Sequence, residues 1–260
     1  MRLTRHPLGH ACVRIETDTG TLLIDPGEPH FTRFPEVGAD DSTERVDAVL
    51  LTHAHTDHFS AHRLTAAITA NPDLVIYASH PIAQCLRDHD RDHGTSLEHH
   101  VHAVGEDDAF DTIGLHVTSV GAHHAKSHPD YPPSPNTGWL LAESGENDVF
   151  HPGDALLHVP GVSLLLAPLQ APWMTFADLL VWLRAMNPQH VAPLHDGLLS
   201  PSGFAVWQQT LDADAAVHGW TMHWLMPGHS LRRPNPRAPW SQLTVESEQR
   251  NAGDPATSEH

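Results

Sequence analysis

The segment VDAVLLTHAHTDH, residues 46–58, constrains any fold this chain can adopt. Its first half is an almost unbroken apolar run, the pattern of a strand buried on both faces of a helix-covered sheet. Its second half puts three histidines and one aspartate, His53, His55, Asp57 and His58, within six positions. A buried strand that releases such polar chemistry at its C-terminal end delivers it to the sheet edge where α/β proteins place their ligands. Crowded imidazoles there carry a cost unless they hold a metal, titrate usefully or lie in solvent.

The remaining pattern supports an α/β reading. LGHACVRIET and GTLLIDP flank the turn-forming DTG and predict a hairpin. Residues 28–44 are rich in Pro, Gly and Asp and read as a loop. A helix is predicted over 60–70 with Ser60 as N-cap. LVIYAS (74–79) reads as a buried strand followed by a helix over 81–89. Short strands are expected near 99–104, 115–120, 137–143 and 147–151. VSLLLAPL (162–169) precedes a helix over 176–186, HVAPLHD (190–196) precedes one over 203–212, and TMHWLMPG (221–228) is the last element. Two β-rich stretches, each passing into strand–helix alternation, imply two similar α/β halves in one domain over 1–230. From 231 to 260 the chain turns polar and proline-rich, which predicts a flexible tail.

Composition narrows the function. The formal charge of −18, with 14 Lys and Arg, excludes a protein that grips a nucleic-acid backbone by bulk electrostatics. No run reaches the ~18 apolar residues of a membrane span, and no apolar leader is apparent, so no membrane partner is expected. Two cysteines, Cys12 and Cys85, with no C-x-x-C pair, give no thiolate cage and favour a cytoplasmic setting. With 25 histidines present, a histidine carries weight only where its neighbours also make sense.

Several do. Asp154 in FHPGDAL follows a short strand, His195 in VAPLHDG ends another, and VGAHHAKSH (120–128) follows the strand 115–120. Imidazole nitrogen with carboxylate oxygen suits zinc, manganese or iron, whereas a dedicated calcium site wants mostly oxygen. A histidine-rich surface loop is the bland alternative, but it does not explain why each further candidate also follows an apolar strand. His10, His128 and His151 admit either a site role or a local hydrogen bond. Asp25 in LLIDPG either buttresses the histidine loop or serves turn chemistry. Trp173 and Tyr131 either wall a pocket or pack.

H-x-H-x-D-H after an apolar strand, with a later His, the Gly-Asp of HPGDA and the His of PLHDG in that order, resembles the metallo-β-lactamase superfamily. LGHACVRIET, LLIDPG and APW at 171–173 look most like its uncharacterised hydrolases near the ascorbate-6-phosphate lactonases. The resemblance runs from about residue 6 to 228. It implies an αβ/βα four-layer sandwich, two mixed sheets with helices on the outer faces. It also implies two divalent transition-metal ions, zinc first, with manganese or iron as alternatives. His53, His55 and a histidine of GAHHA would hold one; Asp57, His58 and His195 the other; Asp154 would bridge. Related sequences reading Gly-Gly-Glu-His-Ala align His124, rather than His123, with the ligand. The activity implied is hydrolysis of a small ester, lactone or phosphodiester by hydroxide held between the metals, with Asp57 as the catalytic carboxylate. A nuclease, a di-iron oxidoreductase and a non-hydrolytic scaffold share the motif, because fold and metal do not fix the substrate.

Overall fold

A computed structural model of the chain describes residues 1–5, 11–28, 46–143, 148–235 and 237–242. His10 and nearly all of the expected loop over 28–44 lie outside those residues. In the N-terminal half the strands are β1 (Arg2–Arg5), β2 (Val13–Glu16), β3 (Thr21–Ile24), β4 (Ala48–Leu50), β5 (Val75–Ser79) and β6 (Val101–Val104). They are interleaved with the helices α1 (Ala61–Ala70) and α2 (His80–His93). The C-terminal half runs β7 (Ala109–Thr112), β8 (Leu115–Val120), β9 (Gly138–Ala142), β10 (Val149–His151), β11 (Leu164–Pro168), α3 (Phe176–Met186), β12 (His190–Leu194), α4 (Pro201–His218) and β13 (Thr221–Met222). The strands β14 (Ser230–Arg232) and β15 (Ser241–Gln242) close the described chain.

Two sheets result, ordered β15-β14-β1-β2-β3-β4-β5-β6 and β13-β12-β11-β10-β9-β8-β7. Each is mixed in the same way. The expected hairpin pairs β2 with β3 antiparallel, and β3 then continues parallel into β4, β5 and β6. In the second sheet β7 to β10 are antiparallel, and β10 to β13 are parallel. The two halves anticipated from the alternation of elements are therefore present.

The layers follow from side-chain alternation. Leu50, Ile24 and Ile15 of the first sheet meet Leu141, Leu164, Leu166 and Trp139 of the second in the central core. Their neighbours Val49, Leu51 and Ile76 point outward onto Leu64 of α1 and Ile82 and Leu86 of α2. Leu165 and Val191 likewise face Leu179 and Leu183 of α3 and Leu211 of α4. Strands buried on both faces read as continuous apolar runs for this reason, and each such residue contributes roughly 1.5–3 kcal/mol. The architecture is the αβ/βα sandwich.

Boundaries differ in instructive places. Ser60 accepts from Arg63 N at 3.4 Å and starts α1 as expected. Helix α2 runs on to His93, past its apolar stripe: Asp90 is buried and accepts from Thr95 Oγ1 and, at 2.8 Å, from Glu98 N, and Gly94, at φ 68°, supplies the left-handed cap. Helix α4 begins earlier, where Ser200 Oγ accepts from Gly203 N, and ends later at a left-handed Gly219. The expectation of a flexible tail from 231 needs correction as far as residue 242. Leu231 and Trp240 are buried, β14 pairs with β1, and the guanidinium of Arg233 holds Asp148 at 2.6 and 2.7 Å. Polar, proline-rich composition concealed two short strands, β14 and the edge strand β15, held by Leu231, Arg233 and Trp240.

Candidate metal centre

The parallel strands end at one rim, and each candidate side chain leaves from an end. His53 follows β4, His124 follows β8, Asp154 follows β10 and His195 follows β12. Close backbone packing shapes the histidine loop. A Cβ on Gly27 would lie 2.0 Å from the carbonyl oxygen of Asp57, so only glycine lets the two segments meet. Gly153, at φ 63°, likewise has no room for a side chain beside Asn136 and Thr52.

The structure brings together His53, His55, His124 and Asp154 as one group of metal-competent atoms, His53, Asp57 and His58 as a second, and His58, Asp154 and His195 as a third. Asp154 sits between them. Its Oδ2 lies 3.3 Å from His124 Nε2 and 3.9 Å from His53 Nε2. Its Oδ1 lies 3.3 Å from His58 Nε2 and 3.4 Å from His195 Nε2. Asp57 Oδ2 stands 3.4 Å from His195 Nε2 and 3.6 Å from His58 Nε2. His55 completes the exposed side, its ring 4.6 Å from that of His53 and 5.0 Å from that of His124. His123, by contrast, is exposed, while its neighbour His124 is buried.

Each buried imidazole is oriented through its other nitrogen. Thr52 Oγ1 donates to Asp25 Oδ2 at 2.6 Å and is left to accept from His53 Nδ1 at 3.0 Å. His58 Nδ1 donates to Asp25 Oδ2 at 2.7 Å. His124 Nδ1 donates to the carbonyl of Ala125 at 2.5 Å, and His195 Nδ1 to that of Gln170 at 2.7 Å. With the proton on Nδ1, a neutral ring turns its Nε2 lone pair toward Asp154, the arrangement of a metal-binding histidine. Two acceptors facing each other repel unless a cation lies between them. Nε2 of His53 and of His124 and Oδ1 of Asp154 are buried with no hydrogen-bond partner among the described residues. Buried polar atoms are rarely left so.

The electrostatics point the same way. Burial, aided by His58, pushes His53 well below the usual histidine range, so it is neutral. Burial also opposes ionisation of Asp154, yet His195 and His58 beside it hold its carboxyl well below the usual carboxylate range. Burial would lower His195, but Asp154 and Asp57 bring it up to about 9. His58 is likewise raised, against its burial, by Asp154 and Asp25. A carboxylate cluster that draws protons onto its histidines is a site that attracts positive charge, and a divalent cation supplies it more compactly. The donor set, imidazole nitrogen with carboxylate oxygen, fits a transition metal.

Other residues resolve into simpler roles. His151 Nδ1 accepts from Gly153 N at 3.1 Å and its Nε2 donates to the carbonyl of Ala11 at 3.3 Å, a structural role. His128 and Tyr131 are exposed, their rings 4.7 Å apart and tilted by 36°. Cys12 is buried, Cys85 is exposed, and both are free thiols. Sequence reasoning missed Asn136, whose Oδ1 accepts from Asp154 N at 3.0 Å and whose Nδ2 donates to the carbonyl of Pro152 at 3.0 Å. Its one signal was a lone amide beside a strand start, in PNTG. Trp173 is half-buried and donates from Nε1 to Asp154 Oδ2 at 3.0 Å, which neither a packing role nor a pocket wall anticipates.

A sandwich of two mixed sheets with a histidine–aspartate cluster at the rim defines a class of α/β proteins built to hold metal. The family model described as a beta-lactamase superfamily domain matches residues 6–195, and the chain belongs to that family. It is 33% identical over 210 residues to Protein Rv0786c of Mycobacterium tuberculosis, covering 80% of this chain and 89% of that one. It is 30% identical over 204 residues to a UPF0173 metal-dependent hydrolase of Salinibacter ruber, covering 74% and 84%. Among solved structures it resembles Igni18, a metallo hydrolase of Ignicoccus hospitalis, at a TM-score of 0.62 and 18% identity over 88% of this chain and 96% of that one.

Proposed function

We propose that this protein is a metal-dependent hydrolase that holds two transition-metal ions, zinc first, and acts on a small ester, lactone or phosphodiester. One observation carries the reading. Asp154 offers one carboxylate oxygen to the His53–His124 side and the other to the His58–His195 side, at 3.3 to 3.9 Å. His53, His55 and His124 would hold one ion, Asp57, His58 and His195 the other, and Asp154 both. Bound divalent metals would supply Lewis acidity and lower the pKa of a water toward ~7, making hydroxide available at neutral pH.

The chain's own groups do the rest. Asp57 is less buried than the histidines behind it, its side chain 17% exposed, so its carboxylate can meet a water entering from solvent. It orients that water and accepts its proton. Asp25, Thr52, Gln170 and Asn136 hold the rings and the Asp154 backbone still, so that little reorganisation accompanies reaction. Neither cysteine is used as a nucleophile.

A small molecule suits this site better than nucleic acid, because a charge of −18 opposes phosphate contacts. A cytoplasmic setting fits the two free cysteines. Among the described residues no helix is long and apolar enough to cross a membrane.

A hydrolysis panel of lactones, thioesters, carboxylate esters and phosphodiesters tests the reading, run on protein stripped with chelator and again after reconstitution with zinc or manganese. Turnover of at least one class that disappears on stripping and returns with metal is expected. Hydrolysis that survives complete metal removal would overturn it.

A further inference from the structure

One loop, Gln170–Trp173, touches both sides of the metal cluster. It leaves β11 at the sheet rim, where Leu169 N bonds Leu194 O at 2.8 Å and Gln170 N bonds His195 O at 3.2 Å. It re-enters regular structure at α3, fixed by a capping box of Thr175 and Asp178. Both of its ends are thus held, and its two inward groups are placed by rigid elements. Gln170 presents its carbonyl to His195 Nδ1 at 2.7 Å, on the Oδ1 side of Asp154. Trp173 presents its indole N–H to Asp154 Oδ2 at 3.0 Å, on the other side, and sets its ring edge-on to His124 at 5.7 Å.

The residue type matters. A lysine or arginine at this place would put a fixed positive charge beside two cation sites and compete with them. An indole N–H is a neutral donor that cannot ligate and cannot lose its proton in the working pH range. It fixes the carboxylate while leaving its charge to the metal. The contact is also one-sided: it reaches Oδ2, the oxygen turned toward His124 and His53, and the ring it leans on is His124.

We propose that Trp173 is a positioning residue that holds Asp154 Oδ2 and the His124 ring in their metal-binding poses, and so selectively sets the affinity of the half of the site formed by His53, His55 and His124. The proposal rests on the two-metal reading above. Removing an outer partner of a ligand typically costs roughly 10–100-fold in metal affinity, and here that loss falls on one binding step of two.

The test is a zinc titration by chelator competition on the wild-type chain and on Trp173→Phe, which keeps an aromatic ring and removes the N–H. Wild type should show two binding steps. In the variant one step should weaken by roughly 10-fold or more while the other stays within about 3-fold. Cobalt(II) spectra should assign the weakened step: pairing Trp173→Phe with His124→Ala should add no further loss to it, whereas pairing it with His195→Ala should leave both steps impaired. Equal weakening of both steps, or no change in either, would overturn the proposal while leaving the two-metal reading intact. Absence of metal binding by wild type would remove both. As a second measurement, which does not depend on a variant that folds, the Trp173 indole N–H of wild-type protein followed by NMR should stay hydrogen-bonded when zinc is bound. Its exchange should be slow, and its resonance should move at one of the two binding steps. Free solvent exchange of that proton in the zinc-loaded protein would contradict the role.

Discussion

Asp25, at the end of β3, accepts the Nδ1 proton of His58 at 2.7 Å from a position with no solvent exposure. The same carboxylate receives Thr52 N at 2.8 Å and Thr52 Oγ1 at 2.6 Å, so it fixes both the start of the histidine loop and a ring within it. Its backbone takes φ 51°, a left-handed conformation that is uncommon outside glycine, to reach this place. A residue read as turn chemistry or as a buttress is the buttress.

Asp25→Asn should therefore act at a distance. One carboxylate oxygen becomes an NH2 group that must face a donor, which should lower the stability of the metal-free protein by roughly 1–3 kcal/mol. Metal affinity should fall by roughly 10–100-fold, because His58 loses its orienting partner. Thermal unfolding and metal titration of the two proteins measure both, and an Asn variant indistinguishable from wild type in both would refute the buttress.

The adjacent histidines should separate. His124 is buried with Nε2 beside Asp154, and His123 is exposed. His124→Ala should lose metal from its half of the site and most turnover, whereas His123→Ala should keep both. Metal analysis of the two variants decides the matter, and the reverse pattern would move the ligand role to His123.

Asp57 should matter to turnover more than to substrate binding. Asp57→Asn should lower kcat by roughly 10²-fold or more, in the range of a lost acid–base group, with a smaller change in KM. Metal content must be measured on the same sample, since loss of an ion would mimic the effect. A fully metallated Asp57→Asn enzyme that works at the wild-type rate would remove Asp57 from the chemistry.

Far from the rim, His190 and His223 share a 3.0 Å contact between Nδ1 and Nε2, and both are buried. Burial, reinforced by His190, brings His223 down to about 4. The unfolded chain, with histidine near its ordinary ~6.5, then binds more protons than the folded one between those values. Stability from the neutral pair is complete above that window and is lost as pH falls through it toward 4. His223→Asn should flatten the slope of unfolding free energy against pH in this range, measured by urea titration of metal-free protein. An unchanged slope would mean that other groups account for it.

Much of this was legible in the chain because period and burial coincide. Leu50 and Leu51 alternate between the central core and the α1–α2 layer, so the strand leading to His53 reads as continuous apolar sequence. The rim residues could be picked out because each follows such a run. What stayed hidden depends on contacts between segments distant in sequence. Asn136 supports Asp154 across 18 positions and Trp173 across 19, and neither spacing leaves a periodic trace. The strands β14 and β15 were invisible because their burial comes from Leu231 and Trp240 set in polar, proline-rich sequence. Arg233 was read as tail for the same reason, though it pairs with Asp148 across 85 positions.

The two-metal reading rests on Asp154 facing a set of donors with each of its oxygens, and metal stoichiometry tests it most directly. Protein purified without chelator, or stripped and reconstituted with zinc or manganese, should be analysed for metal by mass spectrometry alongside its protein concentration. Close to two equivalents per chain are expected, falling to about one in His195→Ala. One equivalent or less in fully reconstituted wild-type protein would contradict the two-metal site.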